Sequence, residues 1–250
     1  MKKQENEKLY WENYWKKENR KEEKFLFSEI LKKCNISFHN YFEFGCAPGS
    51  IMSYMAHNYQ AKVSGLDLID KEIIETFLKE HNVSDYEIME GNILDFQIEQ
   101  KYDFVGSYGL IEHFENPEEL IKIHKDLVDL NGYVCITVPN MRYFNYVFNY
   151  IFSKQLLETH NLSIMDLKLL KKLIIDEDFE EIYASYYLTS MFQANKESQR
   201  LKEHPYLNKI YTIINNIMES FHLSDIPNKY ASPYIVVIAK RISNQKEKTL

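Results

Sequence analysis

The chain has 250 residues, 45% of them hydrophobic and 27% charged, a balance that excludes a disordered or fibrous protein. Thirty Lys and Arg stand against 37 Asp and Glu, a formal net charge of −7, so the cationic excess that grips a nucleic-acid backbone is missing. Three cysteines without metal-ligand spacing (Cys34, Cys46, Cys135), a charged start and no apolar run of about 18 residues lead us to expect a cytoplasmic protein without a membrane partner.

Residues 1–34 mix both charge signs and carry Tyr10, Trp11, Tyr14 and Trp15, whose spacing sets four rings on one side of a helix. From Tyr41 the pattern alternates. Short apolar strands are predicted at Tyr41–Phe44, Lys62–Asp67, Tyr86–Glu90, Tyr102–Ser107 and Gly132–Val138. Helices are predicted between them at Ser50–Tyr59, Lys71–His81 and Pro117–Leu130. Strands alternating with helices of 10–15 residues imply βαβ units and a parallel sheet, an α/β fold. Beyond Asn140 we expect an aromatic helix over Met141–Phe152 and a helix over Ser163–Ile175, capped by Ser163 with Asp166 at N3. Strands at Phe179–Tyr187 and Tyr234–Lys240 flank a helical insertion over 190–229, with a helix over Leu207–Phe221. Pro and Gly never cluster into a linker, so the chain reads as one domain, with 1–34 as a helical cap.

Chemistry concentrates first in Glu43-Phe44-Gly45-Cys46-Ala47-Pro48-Gly49, between a strand and a helix. Glycine permits a tight turn and close approach of a ligand to the backbone, and the helix behind offers free N–H groups. NAD, FAD and S-adenosylmethionine (SAM) sites all use such a turn, but the G-x-G-x-x-G spacing and a following Gly-Lys-Ser/Thr are both absent. Asp67 closes the second strand, where a carboxylate accepts hydrogen bonds from both hydroxyls of a ribose. Gly91-Asn92-Ile93-Leu94-Asp95-Phe96 follows strand three, and Ser107-Tyr108-Gly109-Leu110-Ile111-Glu112-His113-Phe114 forms the exit from strand four.

These four segments, in this order, resemble the class I SAM-dependent methyltransferases, in particular a small-molecule branch with an Glu-His pair after strand four. The resemblance covers Tyr41 to Asn140 and, more loosely, the later strands. It implies a Rossmann-like seven-stranded sheet in the order 3-2-1-4-5-7-6, the last strand antiparallel, with helices on both faces. It implies SAM as cofactor and S-adenosylhomocysteine as product. Gly45, Cys46, Ala47 and Gly49 would then approach the methionine part, with Glu43 beneath orienting the loop. Asp67 would hold the ribose, Leu68, Asn92 and Ile93 would border the adenine, and Ser107 and Tyr108 would face the methionine end. The N-terminal helix would close over the cofactor, bringing Tyr14 or Tyr10 near its carboxylate.

Methyl transfer is an in-line displacement, and a protonated acceptor benefits from a base. His113, just past strand four, is the first candidate, with Glu112 to orient it or touch substrate; His160 is the second. Asn140, Arg142 and Tyr143 follow strand five and are expected to contact the acceptor. Related enzymes with an E-x-x-E-H version of the strand-four exit hold a divalent metal; Gly109 stands at the first position here, so no metal is expected. The reading is O-methylation of a small polar acceptor, by analogy in bacterial capsule or surface-glycan synthesis. N-methylation of a small amine or amino sugar stands beside it, with a catalytically silent SAM-binding partner subunit as the other class and an NAD oxidoreductase as rival for the turn. An apolar stripe through Ile210, Ile213, Ile214 and Ile217 would serve a homodimer or a cap over the pocket.

Overall fold

A computed structural model describes residues 2–17, 25–95, 97, 99–188, 204–220 and 227–242. The strands are β1 (Asn40–Phe44), β2 (Lys62–Asp67), β3 (Tyr86–Glu90), β4 (Tyr102–Tyr108), β5 (Val128–Pro139), β6 (Phe179–Tyr187) and β7 (Tyr234–Arg241). The helices are α1 (Lys2–Lys17), α2 (Ser28–Lys33), α3 (Ser50–Tyr59), α4 (Lys71–Glu80), α5 (Pro117–Leu127), α6 (Phe144–Phe152), α7 (Lys154–Glu158), α8 (Leu167–Ile174) and α9 (Pro205–Ser220). One seven-stranded sheet runs β3-β2-β1-β4-β5-β7-β6. β1 to β5 pair in parallel, and β7 lies antiparallel between β5 and β6.

Period-two alternation sends the strand side chains into two apolar layers. Tyr41, Phe104, Cys135, Val236 and Ile238 pack toward α2, α3 and α4; Phe42, Phe44, Val105, Val134 and Ile136 pack toward α5 and α8. Phe42 and Phe44 are fully buried, each worth on the order of 2–3 kcal/mol of transfer free energy. The amphipathic α4 turns Ile73, Ile74, Phe77 and Leu78 inward, and Asp70 caps it by accepting from the Glu72 N–H at 2.9 Å. Pro117 opens α5, where its missing N–H costs nothing. Crossovers through helices leave the carboxyl ends of β1 to β5 on one edge, and the strand order reverses between β1 and β4. Open α/β sheets bind ligands at such a switch point.

Three helix boundaries differ from expectation by three residues or more. The helix predicted to reach Leu130 stops at Leu127, because the buried, β-branched Val128 is already extended and pairs with Tyr102. Asn131 then takes a positive φ of 66° within an irregular stretch of the β4–β5 ladder. The helix expected from Ser163 begins at Leu167. Its cap is Asp166, whose Oδ1 accepts from the Leu169 N–H at 3.0 Å, while the Ser163 hydroxyl bonds Asn161 instead. The aromatic helix starts at Phe144 rather than Met141, because Tyr143 has a φ of 55°. Of the 190–229 insertion, residues 204–220, which hold α9, and 227–229 are described; 190–203 and 221–226, Phe221 included, lie outside the described residues.

Candidate active site

The turn from β1 into α3 needs glycine at both ends. Gly45 has a φ of 69° and Gly49, preceding α3, a φ of 104°, conformations that an L side chain strains to adopt. Two bonds fix the turn to β2. The Gly45 N–H donates to the Leu66 carbonyl at 2.8 Å, and the Ala47 N–H to Asp67 Oδ2 at 2.9 Å. The other Asp67 oxygen accepts from the Ile69 N–H at 3.1 Å. Burial pushes the Asp67 carboxyl up, and the N–H groups of Ala47, Ile69 and Leu68 hold it back. Cys46 enters only through its backbone: its side chain is buried against β2, where a Cβ on Gly65 would lie 2.6 Å from the sulfur.

Beneath the turn sits Glu43, 3% exposed. Burial raises its carboxyl to about 8, against a hydrogen bond from the Tyr41 hydroxyl at 3.0 Å and with some help from the Asp67 charge. The Tyr41 hydroxyl lies 3.4 Å from that of Tyr108, whose ring packs on Phe25 and Phe27. Tyr41 escaped the sequence reading, although its place two residues before Glu43 puts both side chains on one face of β1. Ser107, beside Tyr108, is fully buried. After β3, Asn92 closes a turn by accepting from the Leu94 N–H at 3.1 Å, Ile93 is buried, and Leu68 after β2 is half-buried.

The exit of β4 abuts the turn, since a Cβ on Gly45 would lie 3.0 Å from Leu110 Cδ1. A single 3-10 turn, Ile111–His113, then presents Glu112 and His113. Asn161 clamps a distant segment onto it: its N–H donates to the Glu112 carbonyl at 2.6 Å and its amide to the Phe114 carbonyl at 3.1 Å. The clamp brings His160 to His113, ring centroids 4.5 Å apart. Ligand-capable atoms of Glu112, His113 and His160 all lie within 4.8 Å of one another. Glu112 is 1% exposed, its carboxyl is raised to about 8 by burial, and its Oε2 has no hydrogen-bond partner among the described residues. Burial and then the neighbouring His160 lower His113 to about 4, against a bond to the Thr159 backbone; burial also lowers His160.

Helix α1 crosses this edge. Its Glu12 accepts from the Asp70 N–H after β2 at 3.4 Å, its Lys8 pairs with Glu90 at the end of β3, and its Trp11 meets the His113 ring edge-on at 5.3 Å. Trp11 thus reaches the Glu-His pair, whereas Tyr14, 40% exposed, has its ring against Trp11 and Trp15. The residues after β5 behave differently from expectation. Asn140 is 2% exposed and spends its amide on the carbonyls of Lys229 and Ser232, at 3.1 and 2.8 Å. Its oxygen accepts from the Arg142 N–H, so it ties the β5 exit to the segment before β7. Arg142 pairs with Asp166 at 3.0 Å, and Tyr143 packs on Tyr230. Their partners lie outside the Glu112–His113–His160 group.

A glycine turn braced by an acidic residue at the end of β2, on a sheet of this order, defines a class I SAM-dependent methyltransferase, an enzyme whose cofactor is SAM. The chain belongs to the methyltransferase-domain family, whose sequence profile matches residues 14–221. It is 26% identical over 101 residues to the (S)-coclaurine N-methyltransferase of Thalictrum flavum subsp. glaucum, a match covering 39% of this chain and 28% of that protein. The chain therefore matches only about a quarter of that relative's length. In fold it is similar to the N-methyltransferase NodS of Bradyrhizobium japonicum WM9, solved with S-adenosylhomocysteine: TM-score 0.55, 10% identity, 92% of each chain covered. It is likewise similar to a SAM-dependent methyltransferase of Archaeoglobus fulgidus: TM-score 0.55, 16% identity, 93% of this chain and 100% of that one. Membership of this class sets aside the silent partner subunit and the NAD oxidoreductase. Among the described residues no helix is long and apolar enough to cross a membrane.

Proposed function

We propose that the enzyme methylates the nitrogen of a small amine. The observation that carries this reading is the group beside the cofactor turn: a buried carboxylate with an unpartnered oxygen, two imidazoles and an indole edge. That surface is short of cations and complementary to one, which suits an ammonium acceptor. The names of the coclaurine and NodS relatives, both N-methyltransferases, support the same choice. O-methylation of a capsule or surface-glycan unit, expected from analogy, could use the same imidazoles but draws no support from the names of the relatives above.

SAM supplies a methyl group on a positively charged sulfur. The residues present fit it. Gly45 and Gly49 give the turn the positive φ that would bring its backbone against the methionine part, and the Glu43 carboxyl, held against ionisation chiefly by burial, would face the cofactor's cationic end from beneath. The remaining lone pairs of Asp67 would accept from the ribose hydroxyls, and Leu68, Asn92 and Ile93 would border the adenine. Glu112 would hold the acceptor in line, and the neutral imidazoles of His113 and His160 would receive the proton that its nitrogen must shed before attack. Trp11 covers the group and keeps water away.

The test is a panel of small amines and matched alcohols incubated with enzyme and SAM, read by mass spectrometry and homocysteine release. Methylated amines, with His113→Ala reducing turnover by 10²-fold or more, are the expected result. Methylation of alcohols alone would overturn the reading.

A further inference from the structure

Tyr143, expected at the acceptor, lines instead an open cleft between α8, β6 and the segment before β7. The cleft has a volume of about 690 Å³, the size of a small-molecule site. Four lysines line it: Lys168, Lys171 and Lys172 from α8, and Lys229 from the segment before β7. In a chain with a net charge of −7 this is a local reversal of sign.

The carboxylates of the cleft are already committed. Asp166 spends one oxygen on Arg142 and the other on the Leu169 N–H, each at 3.0 Å. Glu181 pairs with Lys171 at 2.6 Å. Lys168 and Lys172, exposed and one turn apart on α8, have no ion-pair partner among the described residues, and neither has Lys229. Like charges at i, i+4 repel and weaken a helix unless an anion sits between them. A merely solvated helix face would account for the α8 lysines alone, whereas Lys229 comes from a separate segment to the same cleft.

The aromatic walls are held in place. The Tyr186 hydroxyl bonds the Leu167 backbone at the start of α8. The Tyr143 ring meets Tyr230 edge-on at 5.3 Å, with the Arg142 guanidinium 5.4 Å and Lys229 Nζ 5.6 Å from its centroid. Tyr143 also takes a φ of 55° and a ψ of −122°, a conformation that a bulky L residue adopts only under strain. Such strain persists where the surroundings impose it, and it collects at ligand sites. Flat rings beside unneutralised ammonium groups match a ligand with an aromatic end and a phosphate end. The net negative charge of the chain disfavours a nucleic-acid polymer as the source of that chemistry.

We infer that this cleft binds a nucleoside phosphate, with Lys168, Lys172 and Lys229 on the phosphates and Tyr143 and Tyr186 against the base. It shares no lining residue with the cofactor turn or with the Glu112–His113–His160 group, so it stands apart from the amine reading.

The test keeps the cofactor site filled, because adenosine is part of SAM. The full chain, saturated with S-adenosylhomocysteine, is titrated calorimetrically with ADP, inorganic pyrophosphate and adenosine. One ADP per chain is expected, bound at least tenfold more tightly than either fragment. Lys168→Ala combined with Lys172→Ala, and separately Tyr143→Gly, which suits the positive φ, should each weaken ADP binding at least tenfold. S-adenosylhomocysteine should bind every variant within twofold of wild type, which shows that they fold. No saturable ADP binding, equal binding of either fragment, or unchanged affinity in the double lysine variant would overturn the site. Tighter binding of a short single-stranded RNA than of ADP would overturn the mononucleotide as its ligand.

Discussion

Glu43 is a carboxyl buried beneath a glycine turn, with the Tyr41 hydroxyl as its donor, so its ionisation is sensitive to whatever binds above. Its folded value near 8 lies above its unfolded value near 4.5. The folded state therefore holds a proton that the unfolded chain has lost, and stability falls as pH rises from about 4.5 to 8, then levels. Each unit of the difference is worth about 1.4 kcal/mol. Glu43→Gln keeps an acceptor for Tyr41 and removes the titration. Thermal unfolding from pH 5 to 8.5 should show the wild type losing ground to the variant as pH rises, and parallel curves would contradict this. The strand-to-helix turn from Glu43 to Gly49 was readable because glycine at both ends permits the positive φ that the turn takes. The engagement of both Asp67 oxygens by backbone N–H groups was not readable, because it depends on how closely β2 approaches the turn at Gly65.

At the scale of the element, the short strands were legible, the half-exposed edge strands β3 and β6 included. The runs at β2, β3 and β6 matched their predicted limits, and β1, β4 and β7 did so to a residue. Apolar side chains end where glycine, asparagine or a charge begins, and little else competes. Helix starts were harder, because several side chains qualify as caps and tertiary contacts choose among them. Ser163 lost to Asp166 because Asn161, fixed by the β4 exit, takes the serine hydroxyl. Asp166→Ala should cost about 1 kcal/mol in urea unfolding, with the added loss of its Arg142 pair, whereas Ser163→Ala should stay within about 0.5 kcal/mol. Equal costs would show that the cap has been misplaced. The same logic explains Asn140, a polar residue at a strand exit. It resembles a substrate contact in sequence and serves as a backbone tie in the fold.

At the scale of the molecule, the alternation of strands and helices was enough for a parallel sheet, whereas the strand order came only with the family resemblance. What no local pattern carries is the assembly of the acceptor side. His113 and His160 belong to segments separated by α5, β5, α6 and α7, and Trp11 arrives from α1 at the start of the chain. Helical spacing grouped the aromatics of α1 correctly but did not say which ring reaches the Glu-His pair. That convergence lies at the carboxyl edge of the sheet, next to the Gly45 turn, and on the function proposed above cofactor and acceptor would share one opening there. The central claim is that this opening binds SAM through the turn braced by Asp67. Calorimetric titration of the full chain with SAM and S-adenosylhomocysteine tests it most directly, alongside Asp67→Ala. Saturable binding of both ligands, weakened at least tenfold (about 1.4 kcal/mol) by the substitution, is the predicted result. No binding to the wild type, or equal binding to the variant, would contradict the account.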